Sequence, residues 1–380
     1  MVGESNSASI SQLIRRTDHA VGDFGVYVHI PFCSKRCDYC AFATWTDKDA
    51  LFGDYVETVI VEIAAARNDL PRATSIFFGG GTPSLLPGPS LMRILDEIPR
   101  QDDCEITVEC NPDTASESLF ETYRAHGVNR ISFGVQSMVP HVLSALGRTH
   151  HPENVIVAVE QARRCGMLFN LDLIYGASGE SFADWNTTVD SVLALEAGHF
   201  SAYALTVEAN TPLAADPGRH PDDDDEAEKY ERLCETLERA GYENYEISNW
   251  ARPGQESRHN LLYWAQGDYR GFGCAAHSHL SGRRFWNVRT PERFIELIQS
   301  TGSAKSASEE LSPESRTLEG LQLALRTRHG VPVGSFSNAD LELFYEARWI
   351  KDKGPNVVLT TTGRMMANAV AVRLRSEVAR

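Results

Sequence analysis

The run Tyr27-Val28-His29-Ile30-Pro31-Phe32-Cys33-Ser34-Lys35-Arg36-Cys37-Asp38-Tyr39-Cys40-Ala41-Phe42 sets three cysteines at C-x3-C-x2-C spacing directly after a short apolar stretch of strand character. Three thiolates from one loop can reach three corners of a single small cluster. On a 4Fe–4S cluster this leaves one iron without a protein ligand, free to take a substrate or cofactor. A zinc site would want four protein ligands, and no second cysteine pair follows at zinc-ribbon spacing. A zinc knuckle completed by His29 or Cys110, or three unrelated buried thiols, are the competing readings. Of the other cysteines, Cys104, Cys165 and Cys234 stand alone and read as small buried hydrophobes.

Outward from this loop, short apolar runs alternate with helical patterns. The runs are 26–30, 75–78, 105–108, 130–133, 170–174 and 201–205, and amphipathic stretches fill 55–67, 89–98, 116–126, 155–165 and 182–196. Six β-then-α units in succession predict a parallel sheet with right-handed crossovers, and hence an α/β fold. Spacing alone does not choose between a doubly wound sheet and an incomplete (β/α)6 barrel. Both put chemistry at the C-terminal ends of the strands. The polar, Ser-rich residues 1–20 read as a disordered tail, 21–290 as the core with its extension, and 291–380 as a small C-terminal α+β domain. The acidic run Asp222 to Glu226 reads as the capped start of a helix over 227–240, in preference to a metal site.

The 380 residues hold 36 Lys or Arg against 52 Asp or Glu, a formal net charge of −16, with 42% hydrophobic and 23% charged residues. That is the composition of a soluble globular protein with a large core. The acidic balance argues against nucleic acid or anionic lipid as a main partner. No apolar stretch is long enough for a membrane span and no secretory pattern opens the chain, so a cytoplasmic protein is expected.

Further residues sit where such a fold keeps its chemistry. Phe78-Gly79-Gly80-Gly81-Thr82-Pro83 closes the second strand, where glycines let backbone approach a ligand or simply turn. Glu109 closes the third strand, Gln136 in Gly134-Val135-Gln136-Ser137 the fourth, Arg148 follows, and Asp172 lies in the fifth.

The cysteine spacing, with an aromatic before its last cysteine, resembles the signature of the radical S-adenosylmethionine (SAM) superfamily. In that superfamily SAM chelates the open iron, and reduction of the cluster yields a 5′-deoxyadenosyl radical. The resemblance implies that Cys33, Cys37 and Cys40 hold the 4Fe–4S cluster. It makes Tyr27, Tyr39, Phe42, Gly80, Gly81, Thr82, Glu109, Gln136, Arg148 and Asp172 the candidates for the SAM site. It also implies that the six units form an incomplete TIM-like barrel. Pro31, Phe32, Tyr39 and Phe42 are expected to give the cluster apolar cover.

Taken together, the segments 27–33, 79–83, 134–137 and 172–176 resemble one subfamily, which holds oxygen-independent coproporphyrinogen III oxidase and the related HemW-type heme chaperones. The oxidases carry a further cysteine two positions after the third, and here that position is Phe42. The motif His259-Asn260-Leu261-Leu262-Tyr263-Trp264 is similar to the H-N-x-x-Y-W of the chaperones, which makes His259, Tyr263 and Trp264 heme candidates, with His29 and His277 as alternative ligands. Cys274, where the chaperones usually have glycine or alanine, reads as a buried small residue. The expected function is therefore a heme carrier, with a heme-accepting protein and an electron donor as partners. A porphyrin-biosynthetic oxidase is the alternative.

Overall fold

The computed structural model describes residues 23–375; the tail expected at 1–20 lies outside them. Six β/α units come first. In order they are β1 (Phe24–Ile30), α1 (Phe52–Ala66), β2 (Ala73–Gly80), α2 (Gly88–Asp96), β3 (Arg100–Cys110), α3 (Glu117–Ala125), β4 (Arg130–Gln136), α4 (Pro140–Ala145), α5 (Pro152–Arg164), β5 (Leu168–Tyr175), α6 (Phe182–Leu193), β6 (His199–Ala204) and α7 (Asp223–Arg239). Strands β1 to β6 pair in parallel and in chain order.

Alternation along these strands separates two environments, because successive side chains point to opposite faces. Val26, Val28, Ile76, Phe78, Ile106, Val108, Ile131, Phe133, Leu171, Leu173 and Phe200 are buried in the main hydrophobic core. The intervening positions Thr107, Glu109, Ser132, Asn170, Asp172, Ser201 and Tyr203 line a cavity instead. A barrel of this class normally fills its lumen with branched apolar side chains. Here the lumen is polar and open.

Strand β1 does not hydrogen-bond to β6. The chain covers each edge with later elements: β7 (Glu243–Glu246), β8 (Asn249–Ala251), α8 (Arg258–Trp264), β9 (Asp268–Phe272), β10 (His277–Leu280), β11 (Arg283–Asn287), α9 (Pro291–Thr301) and β12 (Lys305–Glu310). Strand β9 joins β1 in parallel and β8 joins β6 antiparallel, so twelve strands form one open sheet in the order 12-11-10-9-1-2-3-4-5-6-8-7. This is the incomplete barrel, widened on both sides.

A second core follows, built by α10 (Pro313–Leu325), β13 (Val331–Pro332), α11 (Asn338–Glu346), β14 (Ile350–Lys353), β15 (Asn356–Leu359), α12 (Thr361–Met365) and α13 (Ala367–Ala371). Leu321, Leu325, Val331, Phe336, Phe344, Ile350, Val357 and Val370 bury one another there. Helix α9 and strand β12, beyond the boundary expected at 290, belong instead with the large sheet. Phe294, Ile295 and Ile298 pack into the main core, and β12 pairs with β11.

Two helix starts show how sequence fixes local structure. Ser181 and Asp184 form a reciprocal capping box on α6. Asp222 accepts from the amides of Asp224 and Asp225 at the start of α7. The acidic run does more than cap. Asp225 and Glu180 both receive the fully buried Lys229 ammonium, at 2.6 and 3.0 Å, tying α7 to the loop after β5.

Candidate cofactor site

A cavity of about 640 Å³ opens among the C-terminal ends of the barrel strands and continues down the lumen. Its lining brings together Cys33, Cys37, Cys40, Tyr39, Phe42, Gly80, Gly81, Thr82, Glu109, Gln136, Arg148 and Asp172, nearly all the candidates for the cluster and SAM. Tyr27 does not line it. Its hydroxyl donates to His29 Nδ1 at 3.0 Å, while His29 Nε2 donates to the Ala43 carbonyl at 2.9 Å. Burial holds the His29 pKa down to about 4, so the ring is neutral and both nitrogens are engaged. His29 thus braces the cluster loop from behind, which leaves no lone pair for zinc or heme.

The loop is held by backbone. Cys33 N donates to Trp45 O (2.9 Å) and Trp45 N to Pro31 O (2.8 Å). The glycine turn of β2 clamps the other side, with Gly81 N on Ile30 O (2.8 Å) and Thr82 N on Phe32 O (2.7 Å). A Cβ on Gly81 would lie 2.5 Å from Phe32 O; one on Gly80, whose φ is +112°, would lie 2.4 Å from the His29 ring. Gly81 is demanded by close approach to the backbone that opens the cysteine loop, and Gly80 by its positive φ and the His29 ring of β1.

The thiols meet two donors. Thr82 Oγ1 is 3.7 Å from Cys33 Sγ and Arg148 Nη1 is 3.6 Å from Cys37 Sγ. Arg148 is fixed in turn by Gly134 O at 2.8 Å. Burial pushes the Cys33 thiol up to about 11 and raises Cys40, so loading this loop must release protons. Among the described residues, no three His, Cys, Asp or Glu side chains are gathered closely enough for a single metal ion. Three thiols, a cationic donor and a hydroxyl suit a 4Fe–4S cluster, whose sulfurs are tuned by such hydrogen bonds. Of the expected apolar cover, Phe32 is buried, but Phe42 stands 65% exposed at the rim. Its ring covers less than expected.

Below the thiols lie two acids. Glu109 Oε2 accepts from Gly80 N at 3.1 Å. Burial, with the Asp172 carboxylate nearby, pushes Glu109 up to about 8. Asp172 is raised by burial too, although Ser132 Oγ and Asn170 Nδ2 donate to it at 2.9 and 2.6 Å. Two buried carboxyls, both held above their ordinary range although Arg130 and Arg148 line the same cavity, favour a ligand that brings cationic or hydroxyl groups. SAM, with its sulfonium, ammonium and ribose hydroxyls, fits that demand. Gln136 adopts φ +64° at the irregular end of β4, the kind of strained backbone that marks functional sites.

Sequence reasoning missed a buried network deeper in the lumen. His199 Nδ1 donates to Asn170 Oδ1, and its Nε2 accepts from Tyr245 OH at 2.7 Å. Asn170 donates onward to Ser132 and Ser201 at 2.8 and 3.1 Å. The only available signal was alternation, with every second residue of the strands polar.

The H-N-x-x-Y-W segment forms α8, which seals the lower end of the lumen. Ser257 caps it, and Ser257 and Asn260 line the cavity. His259 does not. It is 1% exposed and bonded through Nδ1 to Ser75 Oγ (2.9 Å) and through Nε2 to Tyr263 OH (2.8 Å), with its ring stacked on Phe77. Burial lowers its pKa to about 3. In this structure neither ring nitrogen of His259 faces cavity or solvent. Tyr263 packs edge-on against Tyr269, and Trp264 is half-buried. His277 is exposed and stacked on Trp286, away from the cavity lining. Cys274 is fully buried against the Tyr55 hydroxyl.

Comparison with known proteins agrees with this geometry. Residues 27–192 match the radical SAM superfamily. A heme chaperone HemW of Mycobacterium tuberculosis is 38% identical over 365 residues, spanning 91% of this chain and 93% of that protein. The Bacillus subtilis HemW is 34% identical over 90% of this chain and 97% of its own. The Escherichia coli HemW is 39% identical over 71% and 75%. Among solved structures, coproporphyrinogen III oxidase (HemN) of Escherichia coli superposes with a TM-score of 0.80, at 20% identity over 96% of this chain and 92% of that one. That likeness establishes the shared fold.

Proposed function

Because this chain belongs to the HemW heme chaperone family of the radical SAM superfamily, we propose that it binds heme and passes it to an acceptor protein, with a 4Fe–4S cluster and SAM held in the barrel. The observation that carries the reading is the likeness to proteins named heme chaperones over nine-tenths of the chain. The cluster and SAM together supply a one-electron reductive cleavage when an electron is delivered. The chain's own part is to hold and shield them. Cys33, Cys37 and Cys40 offer the ligands, Thr82 and Arg148 donate to two of the thiols, and Glu109 and Asp172 offer carboxylates to the SAM side of the cavity.

Two observations weigh against the oxidase alternative. Its subfamily's fourth cysteine is replaced by an exposed Phe42, and the likeness to HemN speaks to fold. Among the described residues no helix is long and apolar enough to cross a membrane. The heme-accepting partner and an electron donor are parts of the proposal. The test uses cluster-loaded protein in two arms. Hemin titration should give a saturable Soret change at one heme per chain. Incubation with SAM, a reductant and coproporphyrinogen III should form no protoporphyrinogen. Porphyrinogen turnover without heme binding would replace the carrier with the oxidase.

A further inference from the structure

The heme reading leaves open where a flat ring could sit, since His259 is buried between α8 and β2. Three aromatic side chains among the described residues stand exposed: Phe42, Tyr203 and Tyr345. Two of the three, Phe42 at 65% and Tyr203 at 42%, line the cavity that holds the cysteine loop. An exposed aromatic loses the free energy that burial would give it, and two converging on one opening mark a surface awaiting a partner.

They come from opposite sides of the opening. Phe42 ends the cysteine loop after β1, and Tyr203 closes β6, the two strands between which the barrel fails to close. Ala41 and Ala204 beside them are exposed and line the same cavity. Lys35 and Arg36 are exposed on the same loop and line the same cavity, with Arg36 held over the loop by its bonds to Cys40 O at 3.2 and 3.4 Å. In a chain of net charge −16, two adjacent cations beside an exposed phenyl ring form a local reversal of sign. Glu208 stands on the far, β6 side.

We propose that this mouth, with Phe42 and Tyr203 as its aromatic walls and Lys35 and Arg36 at one edge, is the seat of a planar tetrapyrrole dicarboxylate. The inference rests on the heme-carrier reading and adds its location. Heme has two apolar faces and two carboxylates on one edge. The faces match exposed aromatic surface, and the carboxylates match the loop cations, as point charge and as bidentate fork. No imidazole of the described residues faces this mouth: His199, the histidine lining the cavity, has both nitrogens bonded deep in the lumen. Heme here is held by stacking and carboxylate pairing, with its iron left open to exchange. On this account His259 is a positioning residue that braces α8.

The test is a hemin titration of cluster-loaded, full-length protein, followed at the Soret band. Phe42→Ser should weaken binding about tenfold, as loss of an aromatic anchor does. The double variant Lys35→Glu, Arg36→Glu should weaken hemin by a similar factor, yet bind the dimethyl ester of hemin like the wild type, because the ester has no carboxylates to repel. All three side chains are exposed, so circular dichroism should stay unchanged, and because Arg36 is bonded to Cys40 O each variant is titrated at an iron content matched to the wild type. His259→Ala should keep the wild-type Soret position wherever it keeps its fold. If Phe42→Ser and the double variant bind hemin as the wild type does, while folded His259→Ala shifts the Soret band, the seat lies at α8 and this proposal fails while the carrier reading stands. If the wild type binds no hemin, both fall together.

Discussion

Glu109 is the residue whose environment says most about the cofactor side of the cavity. Its pKa stands at about 8, raised from an ordinary carboxylate by burial and by Asp172. A raised acid is protonated in the folded chain over a range where the unfolded chain has lost its proton. Its contribution to stability is full below the unfolded value near 4.5 and falls as pH rises to about 8. Glu109→Gln, which keeps shape but cannot ionise, should therefore melt higher than the wild type at pH 8.5 without SAM, the difference shrinking toward pH 5. SAM affinity should behave oppositely: in the wild type it rises between pH 7 and 9 as the carboxylate ionises, and in Glu109→Gln it stays flat. A variant whose SAM affinity follows the wild-type pH curve would remove Glu109 from the site. At this scale the sequence was informative about which residues gather and poor about what they do. The glycine motif pointed to close approach, and the approach turned out to be to the cysteine loop. Gly80→Val should thus cost about 2 kcal/mol of stability or more, from strained backbone and the clash with His29, as well as SAM binding. Denaturant unfolding beside SAM dialysis separates the two.

At the scale of elements, the cysteine loop and the β5–α7 joint make contrasting predictions. The loop is held by backbone bonds and by what it ligates. Cys37→Ser should lose most iron and sulfide after reconstitution with little change in melting of the cluster-free chain, whereas Cys234→Ser, on the buried face of α7, should keep its cluster. The joint is held by the Lys229 ammonium, fully buried between Glu180 and Asp225. Lys229→Met should destabilise by about 3–5 kcal/mol, because it leaves buried carboxylate without a partner, and a thermal melt reads this directly. The strands were legible from sequence because branched residues alternate with polar ones over 26–30, 105–110 and 170–174. The joint was not. Asp225 and Lys229 sit four apart in an acidic run that reads as solvated surface, and only the tertiary approach of Glu180 buries the pair. The H-N-x-x-Y-W helix shows the same limit: a motif gives identity, while orientation depends on what α8 packs against. Its histidine meets Ser75 and Phe77, more than 180 residues earlier in the chain.

At the scale of the whole molecule, the open barrel poses an edge problem. Strands β1 and β6 would each present unpaired backbone to solvent, and such edges invite pairing with other chains. The chain covers them from outside, β9 to β12 on β1 and β8 with β7 on β6, so residues 243–310 are part of the barrel's own stability. This was beyond sequence reading, which took residues up to 290 as the core with an extension and had no way to assign strand partners there. The second core is joined by fewer backbone bonds: Arg328 N donates to Tyr245 O at 2.9 Å, and Ile247 and Met365 pack across the joint. Gln266 donates to Glu319 at 2.6 Å and Arg328 pairs with Glu256 at 2.8 Å, polar contacts worth at most about 1 kcal/mol each where solvent reaches them. Two truncations follow from that contrast. A chain ending at residue 311 keeps all twelve strands and every cavity-lining residue, the last of which is Asn260. It should elute as a folded monomer by size-exclusion and bind hemin within about twofold of the full chain. A chain ending at residue 240 keeps the six β/α units but bares both edges, and should aggregate or elute as large oligomers. If the shorter chain is the monomer and the longer one aggregates, the flanking strands are ornaments and the second core is what holds the barrel together.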